Sequence, residues 1–221
     1  ERSLLTKLTV KEQIIYYGTL KSIPKDIILK RLDELLERFN ISEYKDVKIN
    51  TLSKGNQQKI QFISAIINEP KLLILDEPFS GLDPINIELF KSVILDLQKK
   101  KTAIIFSSHR MDHVEMLCEK LLILVKGETV LEGSLKKIKD DFKVKKISIK
   151  ADVSKKELES IKGVNKVYKD NDSFTLYIDD IKYSKNVFDY IKKKDNVSKY
   201  EVSPLSLEEI FISKVGTFYG K

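Results

Sequence analysis

Two adjacent carboxylates end a short apolar run in the sequence KLLILDEPFSGLDP, which covers residues 71–84. The uninterrupted run predicts a strand that is buried on both faces. Asp76 and Glu77 would then lie at the carboxyl edge of an α/β sheet, where such sheets bind ligands. One carboxylate there is suited to binding Mg²⁺ through water, and its neighbour to polarising a water for attack on phosphorus. Taken alone, the pair is explained more simply as a strand end that faces solvent.

Two further groups of residues make that simple explanation less convincing. Upstream, LSKGNQQK (residues 52–59) places Ser53 and Gly55 at the opening of a predicted helix. The backbone N–H groups and the dipole of a helix N-terminus attract phosphate. Downstream, SGLDP contains Asp83, and His109 follows the next apolar run, TAIIFSS. The carboxylate pair therefore does not stand alone.

In order and spacing, these motifs resemble the nucleotide-binding domain of ATP-binding cassette (ABC) proteins over about residues 1–135. LSKGN is similar to the family signature, and LLILDEP is similar to the Walker B strand with its catalytic glutamate. SGLDP resembles the D-loop, and SSH resembles the segment that carries the switch histidine. Four motifs in register make this resemblance specific.

The resemblance implies ATP and Mg²⁺ as cofactors and a role for each motif. Asp76 would hold Mg²⁺, the catalytic Glu77 would orient the attacking water, and the catalytic His109 would contact the γ-phosphate. In the signature, Ser53 and Gly55 would contact the γ-phosphate of ATP bound to the opposite subunit. The residues that the resemblance implies in nucleotide binding are Ser53, Lys54, Gly55, Asn56, Gln57 and Asp83. Of these, Asp83 would work at the dimer interface.

Two features depart from the family pattern. The signature has Lys54 and Asn56 where the commonest form has Gly and Gln, but it keeps Ser53 and Gly55, so we expect its function to be retained. The phosphate-binding pattern G-x-x-x-x-G-K-[ST] is absent, because none of the eight glycines satisfies it. In the family, this loop and the glutamine loop lie upstream of the Glu-Arg pair with which the sequence opens. We therefore expect an N-terminally truncated ABC ATPase that is inactive alone.

The elements that would position these residues follow a consistent order. Apolar spacing predicts helices in LTVKEQIIYYGTL, in PKDIILKRLDELLERFN, which stops at Asn40, and from the signature to Pro70. Strands at KLLIL and TAIIFSS flank a helix that begins at Asp83-Pro84, which indicates a parallel α/β sheet. A helix after His109 and a hairpin at LLILVKGETVLEG follow. With the resemblance, this order predicts the α/β fold of ABC-type P-loop NTPases, with a parallel-sheet core and a helical subdomain.

A smaller C-terminal unit follows a lysine-rich stretch, residues 136–146, which we interpret as a linker. Its segments have the order β-α-β-β-α-β, which predicts a small ferredoxin-like α+β domain. The closing segment SPLSLEEIF has Ser206 and Glu209 at capping-box spacing, which predicts a docking helix. This unit resembles a domain that follows the cassette in some bacterial exporters of the ABC-2 type. The predicted domains are a partial nucleotide-binding domain at 1–138 (helical subdomain about 5–68, catalytic part about 69–135) and an accessory domain at 139–221.

Composition and charge fit a folded protein of one or two domains. The 221 residues have a net charge of +7, which we interpret as a lysine-rich surface rather than a nucleic-acid or membrane face. The single cysteine, Cys118, excludes an internal disulfide and is expected to pack in the core. No apolar run approaches a membrane span, and we expect no signal peptide. We expect His113 at the surface or as a cap, rather than as a zinc ligand with His109.

These features predict the ATP-hydrolysing subunit of an ABC transporter, which is cytoplasmic and peripheral on the inner face of the cell membrane. Its partners would be a second nucleotide-binding subunit, in a homodimer, and integral membrane permease subunits, with no nucleic acid. Two alternatives stay open. One is a non-transport ABC ATPase that acts on ribosomes or DNA, although the sequence has no inserted coiled coil. The other is a catalytically silent dimerisation module, because the phosphate-binding pattern is missing.

Overall fold

The computed structural model describes residues 4–219 of the chain, with side chains up to residue 215. The chain forms two compact units, of which one ends at His109 and the other begins at Arg110. Each unit has its own helices and β-strands, and each is described by itself.

Four α-helices make most of the described part of the first unit. Their bounds are α1 Val10–Leu20, α2 Lys25–Arg38, α3 Lys54–Ile66 and α4 Pro84–Lys99. The apolar stripe of α2 is buried, since Ile28, Leu32 and Leu36 are each no more than 1% exposed. Asn40 has a φ of 52° just after α2 ends, the left-handed conformation that closes many helices. The sequence predictions of these helices, and of the stop at Asn40, are confirmed.

The sheet of the first unit pairs β1, Leu72–Asp76, with β2, Ala103–Ser107. The two strands are parallel, as predicted, and Asp76 is the register partner of Ser107. The prediction that both faces are buried is wrong for the described part of the chain: Leu73 is 4% exposed, but Ile74 is 68% exposed. Alternate side chains of a strand point to opposite faces. The described helices therefore cover one face of this sheet and leave the other open.

The second unit begins with a helix and a hairpin. Helix α5 spans Met111–Leu117, β3 spans Lys120–Val125 and β4 spans Glu128–Ser134. The two strands are antiparallel, and Lys126 and Gly127 between them both have positive φ, 52° and 83°. Two consecutive positive φ angles match the twist of a tight hairpin turn. The predicted strand–turn–strand is confirmed.

The segment predicted as a lysine-rich linker instead contains helix α6, Leu135–Asp141. The Ser134 hydroxyl accepts the backbone N–H of Lys137 and caps the helix. Ile138 is 6% exposed because it packs with Leu121 and Leu205 in an apolar cluster of this unit. The linker interpretation is wrong, whereas the domain limits drawn at 138 and 139 stay a prediction.

A four-stranded antiparallel sheet with two helices follows, and its core lies between the sheet and those helices. The elements in chain order are β5 Lys145–Lys150, α7 Lys155–Glu159, β6 Val164–Asp170, β7 Ser173–Ile178, α8 Ser184–Ile191 and β8 Lys199–Pro204. The strand order is β6-β7-β5-β8, the order of a ferredoxin-like domain. The residues at the centre of the core are Ile147, Ile149, Leu158, Leu176, Ile178, Val187 and Ile191. The predicted fold of this region is confirmed.

The last helix, α9, spans Leu207–Tyr219. The predicted capping box is present, because the Ser206 hydroxyl accepts the Glu209 N–H at 3.2 Å and the Glu209 carboxylate accepts the Ser206 N–H at 2.7 Å. Leu207 and Ile210 are fully buried. The helix therefore docks on its own unit, as predicted.

Two side chains of the second unit, His113 and Cys118, are buried and half-buried, respectively. His113 is 3% exposed, so the prediction that it lies at the surface is wrong: α5 turns it inward. Cys118 is half-buried, and burial raises the pKa of its thiol. Among the helices in the described part of the chain, none is long and apolar enough to cross a membrane.

Candidate active site

The carboxyl ends of β1 and β2 bring Asp76 and Ser107 side by side. The Ser107 hydroxyl donates a hydrogen bond to Oδ1 of Asp76. Both residues are exposed and lie in register, so they share the open face of the two-stranded sheet. The Asp76 carboxylate is thus held at the sheet edge while it stays accessible from outside the chain.

Glu77 is the first residue after β1, and its backbone bends sharply. Its φ is 45°, and its N–H donates to the Ser107 carbonyl oxygen at 3.1 Å. A positive φ is uncommon for a residue other than glycine and occurs often at functional sites. The turn directs the Glu77 side chain toward the end of β2, away from the continuation of its own strand.

The Glu77 carboxylate contacts His109. Its Oε1 accepts the His109 backbone N–H at 2.8 Å and lies 2.7 Å from Nδ1 of the ring. Burial would raise the pKa of Glu77, but the hydrogen bonds from the ring and the backbone of His109 outweigh it and lower the pKa. The His109 side chain is 77% exposed. Glu77 is therefore an ionised carboxylate at neutral pH, with an accessible imidazole beside it.

The signature residues open α3. Ser53 is the N-cap, and its hydroxyl accepts the Asn56 N–H at 3.2 Å. Ser53 and Lys54 are exposed, whereas the Gln57 amide donates to the carbonyl oxygens of Ile49 and Leu52, each at 3.1 Å. Gln57 thus fixes the loop before the helix, and Ser53 and Lys54 present the helix N-terminus to the outside.

Asp83, in the segment that resembles a D-loop, caps α4. Its Oδ1 accepts the Asn86 N–H at 2.9 Å, and hydrogen bonds from Asn86 lower the pKa of its carboxyl group. Gln58 of α3 donates to the Pro78 carbonyl oxygen at 2.9 Å, which ties the signature helix to the segment between Glu77 and the D-loop. Sequence reasoning gave Gln58 no role, since its partner is defined only in three dimensions.

Lys59 is a second residue of α3 that sequence reasoning missed. It is 7% exposed, and its ammonium donates to the Phe39 carbonyl oxygen at the end of α2, at 3.0 Å. Burial lowers the pKa of this ammonium group. A buried lysine needs such a partner because an unpaired buried charge is costly. Lys59 therefore holds the signature helix against the end of α2.

The donor atoms at the sheet edge suit Mg²⁺. Mg²⁺ prefers oxygen ligands and is commonly held by one or two carboxylates together with waters and phosphate oxygens. Asp76 supplies such a carboxylate. The described residues contain no group of three or more His, Cys, Asp or Glu that could hold a metal ion by itself. Asp76 thus fits a Mg²⁺ ion whose remaining ligands are waters and phosphate oxygens.

The fold and this site define an α/β nucleotide-binding protein, and two family models make the class specific. The family described as ABC transporter matches residues 1–80. The family described as ATP-binding protein DrrA1-3-like, C-terminal domain, matches residues 133–215. The two matches cover the cassette motifs up to the D-loop and the ferredoxin-like region with α9.

Curated relatives are similar over almost the whole chain. An uncharacterised ABC transporter ATP-binding protein of Alkalihalophilus pseudofirmus is 48% identical, and the match covers 99% of this chain and 82% of the relative. The uncharacterised ABC transporter ATP-binding protein YhaQ of Bacillus subtilis is 46% identical, over 99% of this chain and 74% of the relative. The chain belongs to the ABC transporter ATP-binding proteins. They are ATPases, and these relatives favour a transporter subunit over a non-transport ATPase.

Solved structures show the same fold. An ATP-binding subunit of an ABC transporter superposes with a TM-score of 0.60 at 29% identity, over 64% of this chain and 59% of that one. CbiO1 of Clostridium perfringens, part of the ABC transporter complex cbiONQ, superposes with a TM-score of 0.51 at 30% identity, over 60% of this chain and 53% of that one. The predicted ABC-type α/β fold is confirmed.

Proposed function

We propose that this protein is the ATP-driven subunit of a membrane transporter, in which the edge of the β1–β2 sheet forms the hydrolytic half of the ATP site. Asp76 holds Mg²⁺, which neutralises charge on the phosphates when it is bound. Glu77 orients the attacking water, and His109 contacts the γ-phosphate. The observation that carries this proposal is the contact between the Glu77 carboxylate and His109 at the ends of two parallel strands.

The chemistry of Glu77 follows from its charge and position. As a carboxylate it accepts hydrogen bonds only, so a water beside it turns a hydrogen toward it and a lone pair outward. The exposed imidazole of His109 is held at the same carboxylate. Phosphoryl transfer depends mainly on positioning and on charge stabilisation. Glu77 and His109, which are held together at the sheet edge, supply the positioning and the charge stabilisation.

The signature would act on a second subunit. The Ser53 hydroxyl accepts one N–H within its own chain and keeps its hydrogen for donation to a phosphate oxygen. The N-terminus of α3 adds N–H groups and the positive end of a helix dipole. In this proposal ATP closes two such subunits against each other, with Asp83 at the interface. Hydrolysis then separates them and moves permease subunits at the inner face of the cell membrane.

Substituting Glu77 by Gln in the full-length protein tests the proposal. The amide keeps the shape but loses the negative charge that orients water, so we expect ATP binding to persist while steady-state hydrolysis falls by about 10²-fold or more. ATP should also hold the variant as a dimer, which size-exclusion chromatography detects. Glu37→Gln, at an exposed position of α2, is the matched control and should hydrolyse ATP at the wild-type rate. Unchanged hydrolysis in Glu77→Gln would show that the assigned role is wrong.

A further inference from the structure

Ser107 makes more contacts with the carboxylate pair than its place in the SSH motif indicates. Its hydroxyl donates to Oδ1 of Asp76, and its carbonyl oxygen accepts the Glu77 N–H at 3.1 Å. Its Oγ also lies 3.4 Å from the Glu77 nitrogen. One residue at the end of β2 thus touches both carboxylate-bearing residues at the end of β1.

The hydrogen bond to Asp76 has an orienting effect. A hydroxyl that donates to an ionised carboxylate forms a short, charge-assisted bond. That bond restricts rotation of the Asp76 side chain and occupies Oδ1 from one side. A ligating carboxylate that is hydrogen-bonded in this way loses less rotational freedom when it binds a cation, and such supporting bonds raise metal affinity.

The exposure of the two residues argues against a purely structural role. Buried polar groups must be hydrogen-bonded to offset their desolvation, but Asp76 and Ser107 are both exposed and could bond to water instead. Their bond therefore adds little to the stability of the fold. It does fix the direction of the one carboxylate that the proposed function assigns to Mg²⁺.

We propose that Ser107 is a positioning residue for the Mg²⁺–ATP site. Its hydroxyl sets the orientation of the Asp76 carboxylate, and its carbonyl oxygen holds Glu77 in its positive-φ turn. The hydroxyl contribution depends on the side chain, whereas the carbonyl contribution survives any substitution. This inference rests on the proposed metal role of Asp76.

A pair of near-isosteric substitutions tests the hydroxyl. Thr and Val have the same branched shape, but Ser107→Thr keeps the hydroxyl and Ser107→Val replaces it by a methyl group. The readout is the affinity of the full-length protein for Mn²⁺ in the presence of a non-hydrolysable ATP analogue, measured by electron paramagnetic resonance. We expect Ser107→Thr to keep wild-type affinity and Ser107→Val to lose about ten-fold. Binding of the analogue without metal should not change in either variant.

Two controls separate this role from a general effect on the fold. Ser92→Ala also removes a serine hydroxyl that is hydrogen-bonded, to the Leu89 carbonyl oxygen in the middle of α4, and should leave Mn²⁺ affinity unchanged. Thermal unfolding of each variant reports whether it is folded. If Ser107→Val does not fold, Ser107→Ala removes the hydroxyl without adding a branch and takes its place in the comparison.

The outcomes are distinguishable. Equal Mn²⁺ affinity in Ser107→Thr and Ser107→Val, whether high or low, would overturn the inference, because the hydroxyl would then make no difference. Asp76→Asn decides whether the proposed function itself fails. If that variant binds Mn²⁺ like the wild type, the assigned metal role of Asp76 is wrong, and the positioning role of Ser107, which depends on it, is wrong as well. If Asp76→Asn loses Mn²⁺ while Ser107→Val keeps it, only the inference on Ser107 fails.

Discussion

Gly55 lies in the first turn of α3, where its own chain gives no reason for a glycine. A Cβ added there would meet no atom within 4 Å, and its φ is not in the left-handed region. Glycine in a helix costs up to about 1 kcal/mol relative to alanine. A glycine that weakens its helix without relieving crowding within the chain is best explained by something that approaches from outside. This reasoning supports the proposed approach of a phosphate bound to a second subunit.

We therefore predict opposite effects of Gly55→Ala on stability and on activity. The unfolding free energy should stay the same or rise by up to about 1 kcal/mol, because helix propensity improves and nothing clashes. ATP hydrolysis by the full-length protein should fall, because the new methyl group enters the space that the proposed function assigns to the partner's ATP. Denaturant unfolding and a steady-state ATPase assay measure the two effects. Unchanged hydrolysis, or a marked loss of stability, would contradict the prediction.

At the scale of elements, the N-terminus of α9 is fixed by two carboxylates. Glu209 accepts hydrogen bonds from the Tyr177 hydroxyl at 2.7 Å and from the Lys146 ammonium at 3.1 Å, besides its bond to Ser206. Glu115 of α5 accepts the Leu207 N–H and forms an ion pair with Lys139. The helix is thus joined to β5, β7, α5 and α6 of its own unit. Apart from the capping bond to Ser206, these are polar contacts that no local pattern in the sequence defines.

The charge of Glu209 makes this attachment sensitive to pH. Burial would raise the pKa of its carboxyl group, but the hydrogen bonds from Tyr177, Ser206 and Lys146 outweigh burial and lower the pKa from its usual value. A group whose pKa is lowered in the folded state stabilises the fold above its unfolded pKa. That stabilisation is lost as the pH falls through the folded pKa. Glu209 should therefore contribute its full stabilisation of the fold at neutral pH and progressively less as the solution becomes acidic.

We predict that Glu209→Gln lowers the unfolding free energy by about 1 to 2 kcal/mol at neutral pH, since hydrogen bonds to a charged group are lost. The difference from the wild type should shrink as the pH falls below about 5, because the wild-type carboxyl group then takes up a proton, first in the unfolded chain and at lower pH in the folded protein. Denaturant unfolding at a series of pH values measures this. Glu208→Gln, at the exposed neighbouring position, is the matched control and should have little effect. A difference that is independent of pH would exclude the charge as its cause.

At the scale of the whole molecule, the proposed function gives this chain one half of an ATP site. It carries the signature, the Asp76–Glu77 pair and His109, but none of its eight glycines lies in a phosphate-binding pattern. The side chains of Leu72, Ile74 and Ile105 on the open face of the β1–β2 sheet are also more than half exposed. An apolar patch of this kind favours association with another surface. In the proposed function, these residues act on ATP whose phosphates are held by a loop that the 221-residue sequence does not contain.

We predict that the isolated 221-residue chain hydrolyses ATP negligibly. Without a loop of backbone N–H groups around the β- and γ-phosphates, the nucleotide is not positioned for attack. A steady-state ATPase assay of the purified chain measures this, with the Glu77→Gln chain assayed in parallel. Activity that persists in Glu77→Gln comes from a contaminating enzyme. Robust activity that Glu77→Gln abolishes would refute the prediction.

The sequence by itself determined the features that depend on neighbouring residues. The motifs gave the family, and the apolar periods and caps gave the helices, the parallel strands and the ferredoxin-like order. Helix α2 with its stop at Asn40, and the capping box at Ser206 and Glu209, were predictable because each is formed by residues within a few positions of one another.

The tertiary structure decided what depends on distant residues. The lysine-rich stretch became α6 because Ile138 is buried against Leu205, far along the chain. One face of β1 lies open because the described helices cover only the other face. The bond between Ser107 and Asp76 joins residues 31 positions apart, through the register of two parallel strands. Burial and register are properties of packed elements, and no local pattern of side chains specifies them.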